Sequence, residues 1–188
     1  MKYLIKKLWP VILLFIAAGI GVIFGSVEGR LRDLMNSAFF CGIYVIAAGM
    51  IAHFAGNAFP RRFDTEKGFF STHPWEKDGE IYDEVLQVKK WKDHFIDASK
   101  IFKDIKPKSI GFSRDPEKYR ILIQESCAAE LTHWLLILFS PLMFLIVRRF
   151  GRFFFYLIYL LANLCDIIIQ RYNRPRFERI RRKLEAGS

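Results

Sequence analysis

The sequence predicts an all-α integral membrane protein with about four transmembrane helices and a cytoplasmic, interfacial amphipathic helical region between the second and the third. Three observations support this class. Hydrophobic residues make up 52% and aromatic residues 16% of the 188 positions. They are gathered into blocks of about membrane-spanning length that contain neither Lys nor Arg. The surplus of positive charge, +10 overall, lies between and beside these blocks.

Four apolar blocks, at about 8–25, 38–56, 131–147 and 153–169, form one predicted membrane domain, 1–188. A soluble helix bundle would need polar stripes that these blocks lack. The first block follows three lysines but ends without a persuasive cleavage site, so we interpret it as an uncleaved span. The second block is rich in Gly and Ala, which let neighbouring helices approach closely in lipid.

The third and fourth blocks are short, so a re-entrant hairpin is the alternative to two full spans. The connection RRFGR favours full spans, because each arginine at the bilayer centre would cost roughly 2.5 to 3.5 kcal/mol. With four spans, the largest basic groups share one side, and the positive-inside rule predicts a multi-pass cell-membrane protein with both termini cytoplasmic. Juxtamembrane basic residues usually bind anionic lipid, so we expect no nucleic-acid partner.

The region 57–120 contains fourteen basic and twelve acidic residues with interleaved aromatic residues, a composition too aromatic for a disordered loop. From Ile81 onward, apolar residues recur at helical intervals, which predicts one or two amphipathic helices on the bilayer surface. SRDPEKY, with Ser113 as candidate N-cap, predicts the start of the helix that becomes the third block. Pro175 predicts the end of the fourth helix. It lies within a basic C-terminal tail, 171–188.

The motif ESCAAELTHW brings carboxylates and an imidazole to the third block. On a helix, Ser126, Glu130 and His133 lie within about 60° of one another, and Glu125 lies about 80° from His133. Glu130 is three residues from His133 and could orient its imidazole as a general base. Ser126 is roughly 10 Å from His133 along the axis, which excludes a local Ser-His-Glu triad. A di-iron site would need a second E-x-x-H pair, so we predict no metal.

The second polar concentration is NLCDIIIQRYNRPR. Asn163, Asp166 and Gln170 follow one another at spacings of three and four and so lie close to one helix face. The arginines that follow suit a phosphate, sulfate or carboxylate group of a lipid or acyl donor. The two motifs return to the same membrane face in the predicted topology. We therefore expect the Asn and Arg side chains to meet Glu130 and His133 across a helix pair.

The segments VKKWKDHFIDA, ESCAAELTHW and NLCDIIIQRYNRPR resemble, in order and spacing, the motifs of the bacterial glycosyl-4,4′-diaponeurosporenoate acyltransferase family. The resemblance implies a small membrane enzyme that esterifies a sugar hydroxyl. The chain departs from the family pattern at Ala128 and Cys165 and by its first block. The positions that match the family motifs are Trp91, Lys92, Asp97, Glu125, Glu130, His133, Trp134, Asn163, Gln170, Arg171, Tyr172, Asn173, Arg174 and Arg176.

Our leading hypothesis is a membrane-embedded acyltransferase that esterifies a hydroxyl of a glycolipid or similar lipid-linked acceptor. It needs no cofactor, only an activated co-substrate such as acyl-CoA or acyl carrier protein. The predicted catalytic residues are His133, Glu130 and Glu125. The predicted substrate-binding residues are Trp91, Lys92, Asn163, Gln170, Arg171, Asn173, Arg174 and Arg176. The alternatives are a non-catalytic glycolipid-binding or scaffolding subunit and a metal-assisted lipid hydrolase.

Overall fold

A computed structural model of the protein describes residues 29–58, 62–94, 113–146 and 151–187. The predicted first span, 8–25, lies outside the described residues. Within them, all regular structure is helical, which confirms the all-α part of the predicted class for these residues. The α-helices are α1 (Gly29–Ala58), α2 (Glu80–Leu86), α3 (Val88–Trp91), α4 (Pro116–Phe139), α5 (Met143–Ile146) and α6 (Arg152–Ala186). Short 3₁₀ helices cover Pro74–Gly79, Lys92–His94 and Ser140–Leu142.

Three helices of the described residues are long and apolar enough to cross a membrane. They are Leu31–Ala52, Pro116–Ile146 and Arg152–Ala186, with 22, 31 and 35 residues. The predicted second, third and fourth blocks overlap them. At 1.5 Å per residue the last helix is about 52 Å long, well beyond the roughly 30 Å of hydrocarbon. Its basic second half therefore extends past the apolar core of a bilayer.

The chain divides into two compact units. The first contains the described residues before Gly56 together with Leu135–Asn163. Its core is formed by Cys41, Tyr44, Met143 and Tyr159. The Tyr44 hydroxyl donates to the Phe139 carbonyl at 2.8 Å, so a polar group in an apolar helix is satisfied by a main-chain acceptor.

Large apolar side chains of the first unit are exposed, among them Ile51 and Phe54, at 70% and 71%. A water-soluble protein rarely exposes a continuous apolar surface of this kind. Helices with a buried polar interior and an exposed apolar exterior are what a lipid environment requires, because lipid tails solvate Ile and Phe.

The second unit contains Gly56–Trp134 and Leu164–Ser188. Its apolar core consists of Tyr82, Val88, Ile169 and Tyr172. The predicted amphipathic stretch from Ile81 is divided into two short helices in its described part, because Gln87 adopts φ 51° and ψ 41° and interrupts the helix between α2 and α3. Residues 95–112 lie outside the description, so the rest of that region stays a prediction.

Helix α4 begins at Pro116, close to the predicted start. Its N-cap differs from the predicted Ser113, since the Asp115 carboxylate accepts from the Glu117 amide at 2.9 Å. Proline at the first helical position is favoured because the missing N–H would have no partner there. Gln124, two turns further, exchanges two hydrogen bonds with the main chain of Phe63, at 2.6 and 3.0 Å.

The predicted end of the last helix at Pro175 is wrong, because α6 continues through it to Ala186. A proline inside a helix leaves the carbonyl four residues earlier, here that of Arg171, without its usual donor. Gly79 packs onto this point: a Cβ built on it would lie 3.2 Å from the Tyr172 carbonyl and 3.4 Å from that of Arg171. Gly79 thus approaches the last helix closely at the turn that the proline disturbs.

Candidate active site

Glu130 is fully buried on α4, and both of its carboxylate oxygens bind arginines of α6. Arg171 Nε donates to Oε1 at 2.7 Å, and Arg174 donates to Oε2. Trp134 Nε1 also approaches Oε1, at 3.4 Å. The expectation that arginines of QRYNRPR meet Glu130 across a helix pair is confirmed for Arg171 and Arg174. Their presence explains how a carboxylate can remain in an apolar helix, since a buried charge needs paired partners.

A second carboxylate joins this network from the segment before α2. Glu76, 2% exposed, accepts from Arg171 Nη1 at 3.1 and 3.2 Å. The Tyr82 hydroxyl also donates to Glu76, and the His73 amide donates to it at 2.6 Å. Two carboxylates and two guanidinium groups balance in charge. We call Glu76, Glu130, Arg171 and Arg174 the buried ion cluster.

The two arginines of the buried ion cluster also hold the main chain of the preceding loop. Arg171 Nη2 donates to the Phe69 carbonyl at 2.7 Å, and Arg174 Nη1 donates to the Phe70 carbonyl at 2.8 Å. Each guanidinium lies over the ring of the same residue, with 5.8 and 5.7 Å to the centroids. The Phe69 ring meets Trp134 edge to face at 6.2 Å. The loop is therefore fixed beside Trp134, next to His133 in sequence.

Glu76 is held in its ionised form by this arrangement. Burial alone would raise the pKa of Glu76, but the hydrogen bonds from His73, Tyr82 and Arg171 outweigh it and lower that pKa below the usual value. Burial and the hydrogen bond to Glu76 raise the pKa of the Tyr82 hydroxyl. The phenol thus stays protonated and acts as a donor.

His133, half-buried on α4, faces the carboxylate of Asp166 on α6. The distance from Nε2 to Oδ2 is 3.8 Å, and the side chains are 23% and 28% exposed. The sequence predicts Glu130 as the partner that orients this imidazole, but the oxygens of Glu130 are engaged by arginines. Asp166 is the carboxylate that supplies an opposite charge at ion-pair distance. Both side chains remain in reach of solvent, as a catalytic pair must.

Gln170 and Ser126 lie at the same contact between α4 and α6. The Ser126 hydroxyl donates to the Gln170 carbonyl at 3.4 Å and accepts from Arg174 Nε at 3.2 Å. The Gln170 side chain is buried, with 2% of the residue exposed. Its amide nitrogen Nε2 has no hydrogen-bond partner among the described residues.

Two further cations border the ring of Tyr172. Arg176 Cζ lies 3.8 Å and Lys92 Nζ 5.4 Å from the ring centroid, a geometry that favours cation–π attraction. Lys92 Nζ also approaches Asn173 Oδ1 at 3.5 Å. Within the described part of the chain, neither cation forms an ion pair with a carboxylate. Arg171 and Arg174, by contrast, both form ion pairs with carboxylates.

The remaining predicted site residues have separate positions. Glu125 is half-buried on α4. The Trp91 indole donates to the Leu86 carbonyl at 2.7 Å, and Asn163 belongs to the first unit, where its amide donates to the Tyr159 carbonyl at 2.8 Å. Asp97 lies outside the described residues. No group of three His, Cys, Asp or Glu side chains in the described ranges is arranged to hold a metal ion.

Two members of this site were not among the predicted site residues, although the sequence placed Asp166 on the polar face of its helix. Glu76 precedes the recognised motifs, and its neighbours PWEKDG carry no pattern that distinguishes it from a surface carboxylate. Asp166 does carry a signal, because it lies inside an apolar block where a charge is costly. Its pairing with His133 follows from the antiparallel register of α4 and α6, which only the structure provides.

A family model described as glycosyl-4,4′-diaponeurosporenoate acyltransferase matches residues 66–183, more than half of the chain. The chain belongs to this family. As a glycosyl-4,4′-diaponeurosporenoate acyltransferase family member, it is an acyltransferase. The matched region contains the buried ion cluster and the His133–Asp166 pair, whereas all of α1 precedes it.

Curated relatives agree with the family assignment. A glycosyl-4,4′-diaponeurosporenoate acyltransferase of Staphylococcus aureus strain MRSA252 is 28% identical over 156 residues, which are 82% of this chain and 94% of the relative. The proteins of the same name from strains bovine RF122 / ET3-1 and N315 are 27% identical over the same extent. No solved structure matches the chain.

Proposed function

We propose that the protein transfers an acyl group from an activated donor to a hydroxyl of a glycolipid or similar lipid-linked acceptor at the membrane surface. The names of the relatives support a glycosylated acceptor with a long apolar tail. The apolar exterior of the helices suits such a tail. Acyl-CoA and acyl carrier protein are the donors we consider.

The observation that carries the mechanism is the pairing of His133 with Asp166 at 3.8 Å. In the proposed reaction the imidazole takes the proton of the acceptor hydroxyl. The oxygen of that hydroxyl simultaneously bonds to the acyl carbon of the thioester. The tetrahedral intermediate then collapses, the C–S bond breaks, and the thiolate recovers the proton from the imidazolium. Asp166 stabilises the imidazolium, and proton removal of this kind contributes roughly 10²- to 10⁴-fold to the rate.

The anionic part of the donor requires cations that the protein itself does not neutralise. Arg176 and Lys92, which form no ion pair with a carboxylate among the described residues, meet this requirement better than Arg171 and Arg174, whose donors bind Glu76, Glu130 and main-chain carbonyls. We assign phosphate binding to Arg176 and Lys92. The buried ion cluster is then a scaffold that fixes α4, α6 and the loop that contains Phe69.

The proposed topology has four spans, with 8–25 as the first, and both termini in the cytoplasm. The distribution of Lys and Arg supports it, because the larger basic groups then share the cytoplasmic side. Activated acyl donors are cytoplasmic molecules, so this topology gives His133 and Arg176 access to them. Labelling of single cysteines introduced near each terminus in intact cells and in lysed cells tests this orientation.

The reaction is tested with purified protein in lipid nanodiscs, radiolabelled palmitoyl-CoA and glycosyl-4,4′-diaponeurosporenoate. Formation of the labelled ester by wild-type protein, and its loss in His133→Gln, is the expected result. His73→Gln is the matched control, because this histidine stacks on Trp75 at 6.3 Å and takes no part in the proposed reaction. Binding of the acceptor without ester formation would support a glycolipid-binding subunit and contradict the acyltransferase mechanism.

A further inference from the structure

The side-chain amide of Gln170 stands out among the buried polar groups of the second unit. Only 2% of the residue is exposed, yet Nε2 has no hydrogen-bond partner in the described part of the chain. Buried amide groups are almost always hydrogen-bonded, because the loss of water without a replacement partner is unfavourable. An unpartnered buried donor therefore calls for a ligand that accepts its hydrogen bond.

The position of Gln170 connects it with the proposed catalytic pair. It follows Asp166 by four residues on α6, so the two side chains are one helical turn apart, about 6 Å along the axis and about 40° around it. The Gln170 main chain packs directly on α4, where its carbonyl accepts from Ser126 at 3.4 Å. Asp166 faces His133 of that same helix at 3.8 Å. Gln170 is thus one helical turn from Asp166, the carboxylate that faces the proposed general base His133.

The stronger donors nearby are engaged. Arg174 binds Glu130, Ser126 and the Phe70 carbonyl, and Arg171 binds Glu76, Glu130 and the Phe69 carbonyl. These hydrogen bonds hold the helical turn that follows Gln170 in place. The neutral amide is consequently presented by a rigid element, as the stabilisation of a developing charge requires.

We propose that Gln170 Nε2–H donates to the acyl carbonyl oxygen and stabilises the oxyanion of the tetrahedral intermediate. The inference rests on the proposed acyl transfer. As the acceptor oxygen bonds to the acyl carbon, the carbonyl π pair moves onto the carbonyl oxygen. That pair re-forms the C=O bond when the C–S bond breaks and the thiolate leaves. Gln170 keeps its proton throughout and acts as a hydrogen-bond donor toward a ligand that bears an ester or thioester carbonyl.

The test substitutes Gln170→Met, which keeps the length of the side chain and removes the donor. Wild type and variant are compared in nanodiscs with radiolabelled palmitoyl-CoA and glycosyl-4,4′-diaponeurosporenoate, together with their thermal unfolding midpoints. We expect kcat to fall by about 10²- to 10³-fold, the effect of removing one oxyanion donor, with little change in KM. We expect the unfolding midpoint to stay the same or rise, because an unpartnered polar group is removed.

Gln124→Met is the matched control for stability. Its amide makes two hydrogen bonds with Phe63, so its removal should lower the unfolding midpoint. Gln170→Leu repeats the test with a shorter apolar side chain. A Gln170→Met protein that keeps wild-type kcat, or whose midpoint falls as that of Gln124→Met does, overturns the inference. A wild type that forms no ester overturns the proposed function as well, so the two failures are distinguishable.

Discussion

His133 and Asp166 face each other from two different helices, with 3.8 Å between Nε2 and Oδ2. The pair lies beside a buried carboxylate, Glu130, that is committed to two arginines. Three ionisable groups on α4 and α6 thus have different tasks. Burial and partners separate them: Glu130 is inaccessible and fully paired, whereas His133 and Asp166 are half-buried and reach solvent.

Substitution of the pair should affect catalysis more than folding. We expect His133→Gln to lower kcat/KM by roughly 10²- to 10⁴-fold. Asp166→Asn should give a smaller loss, because the imidazole remains but its positive form is no longer stabilised. Ester formation and thermal unfolding are measured side by side. Full activity of a folded Asp166→Asn protein would remove Asp166 from the mechanism.

Glu130→Gln should affect folding first. It leaves the guanidinium groups of Arg171 and Arg174 buried without one of their counter-charges, and loss of one partner from a buried pair costs about 3 to 5 kcal/mol. The double variant Glu130→Met/Arg174→Met removes one charge of each sign and should be less destabilised than the sum of the single variants. Thermal unfolding in nanodiscs is measured for Glu130→Gln, for Glu130→Met and Arg174→Met, and for the double variant. Additive losses would show that the two residues do not interact.

The lowered pKa of Glu76 predicts how the stability of the folded protein depends on pH. Its pKa is lowered in the folded state, below the unfolded value of about 4.3. The stabilisation is therefore fully present above that unfolded value and is lost as the pH falls through the folded pKa. Glu76→Gln should flatten this acid-side decline in the unfolding midpoint.

The control for Glu76 is Glu84→Gln, which removes a surface carboxylate with a side chain that is 51% exposed. Exposed ion pairs contribute little to stability, so the acid-side decline of this variant should match that of wild type. Equal slopes for wild type and Glu76→Gln would contradict the role assigned to Glu76.

A comparison of Gly79→Ala with Gly68→Ala distinguishes the cost of backbone strain from the cost of a close contact. Both have positive φ, 86° and 82°, which an alanine adopts only at a cost of about 1 to 2 kcal/mol. A Cβ at Gly79 would also lie 3.2 Å from the Tyr172 carbonyl, whereas one at Gly68 meets nothing within 4 Å. Gly79→Ala should therefore lower the unfolding midpoint more than Gly68→Ala. Equal shifts would mean that the contact with α6 adds nothing.

Arg176→Ala tests the proposed donor site. Loss of a charged hydrogen bond, worth roughly 1.5 to 3 kcal/mol, should raise KM for palmitoyl-CoA by about tenfold or more and change kcat less. Arg179→Ala is the control on the same helix, because Arg179 is exposed and lies 3.7 Å from Glu80. If both variants raise KM equally, the effect is one of general surface charge.

The helices and the approach of arginines to Glu130 could be predicted because they depend on local patterns: long apolar runs, and charges that need partners in lipid. The continuation of α6 through Pro175 was not predicted, because a proline locally favours the end of a helix. The close approach of Gly79 to this turn, from about ninety residues earlier in the chain, is a tertiary contact that no local pattern indicates. Glu76 was missed for the same reason. Its importance comes from Arg171, 95 positions away, and no spacing rule connects two such distant residues.

The arginines that neutralise Glu130 follow it by 41 and 44 residues. During translation, therefore, Glu130 is added to the chain before either counter-charge has been synthesised. Helix α4 alone would present an unpaired anion to the lipid, a state that the completed hairpin with α6 does not contain. The pairing of Glu130 is therefore complete only once α6 has been synthesised and has packed against α4.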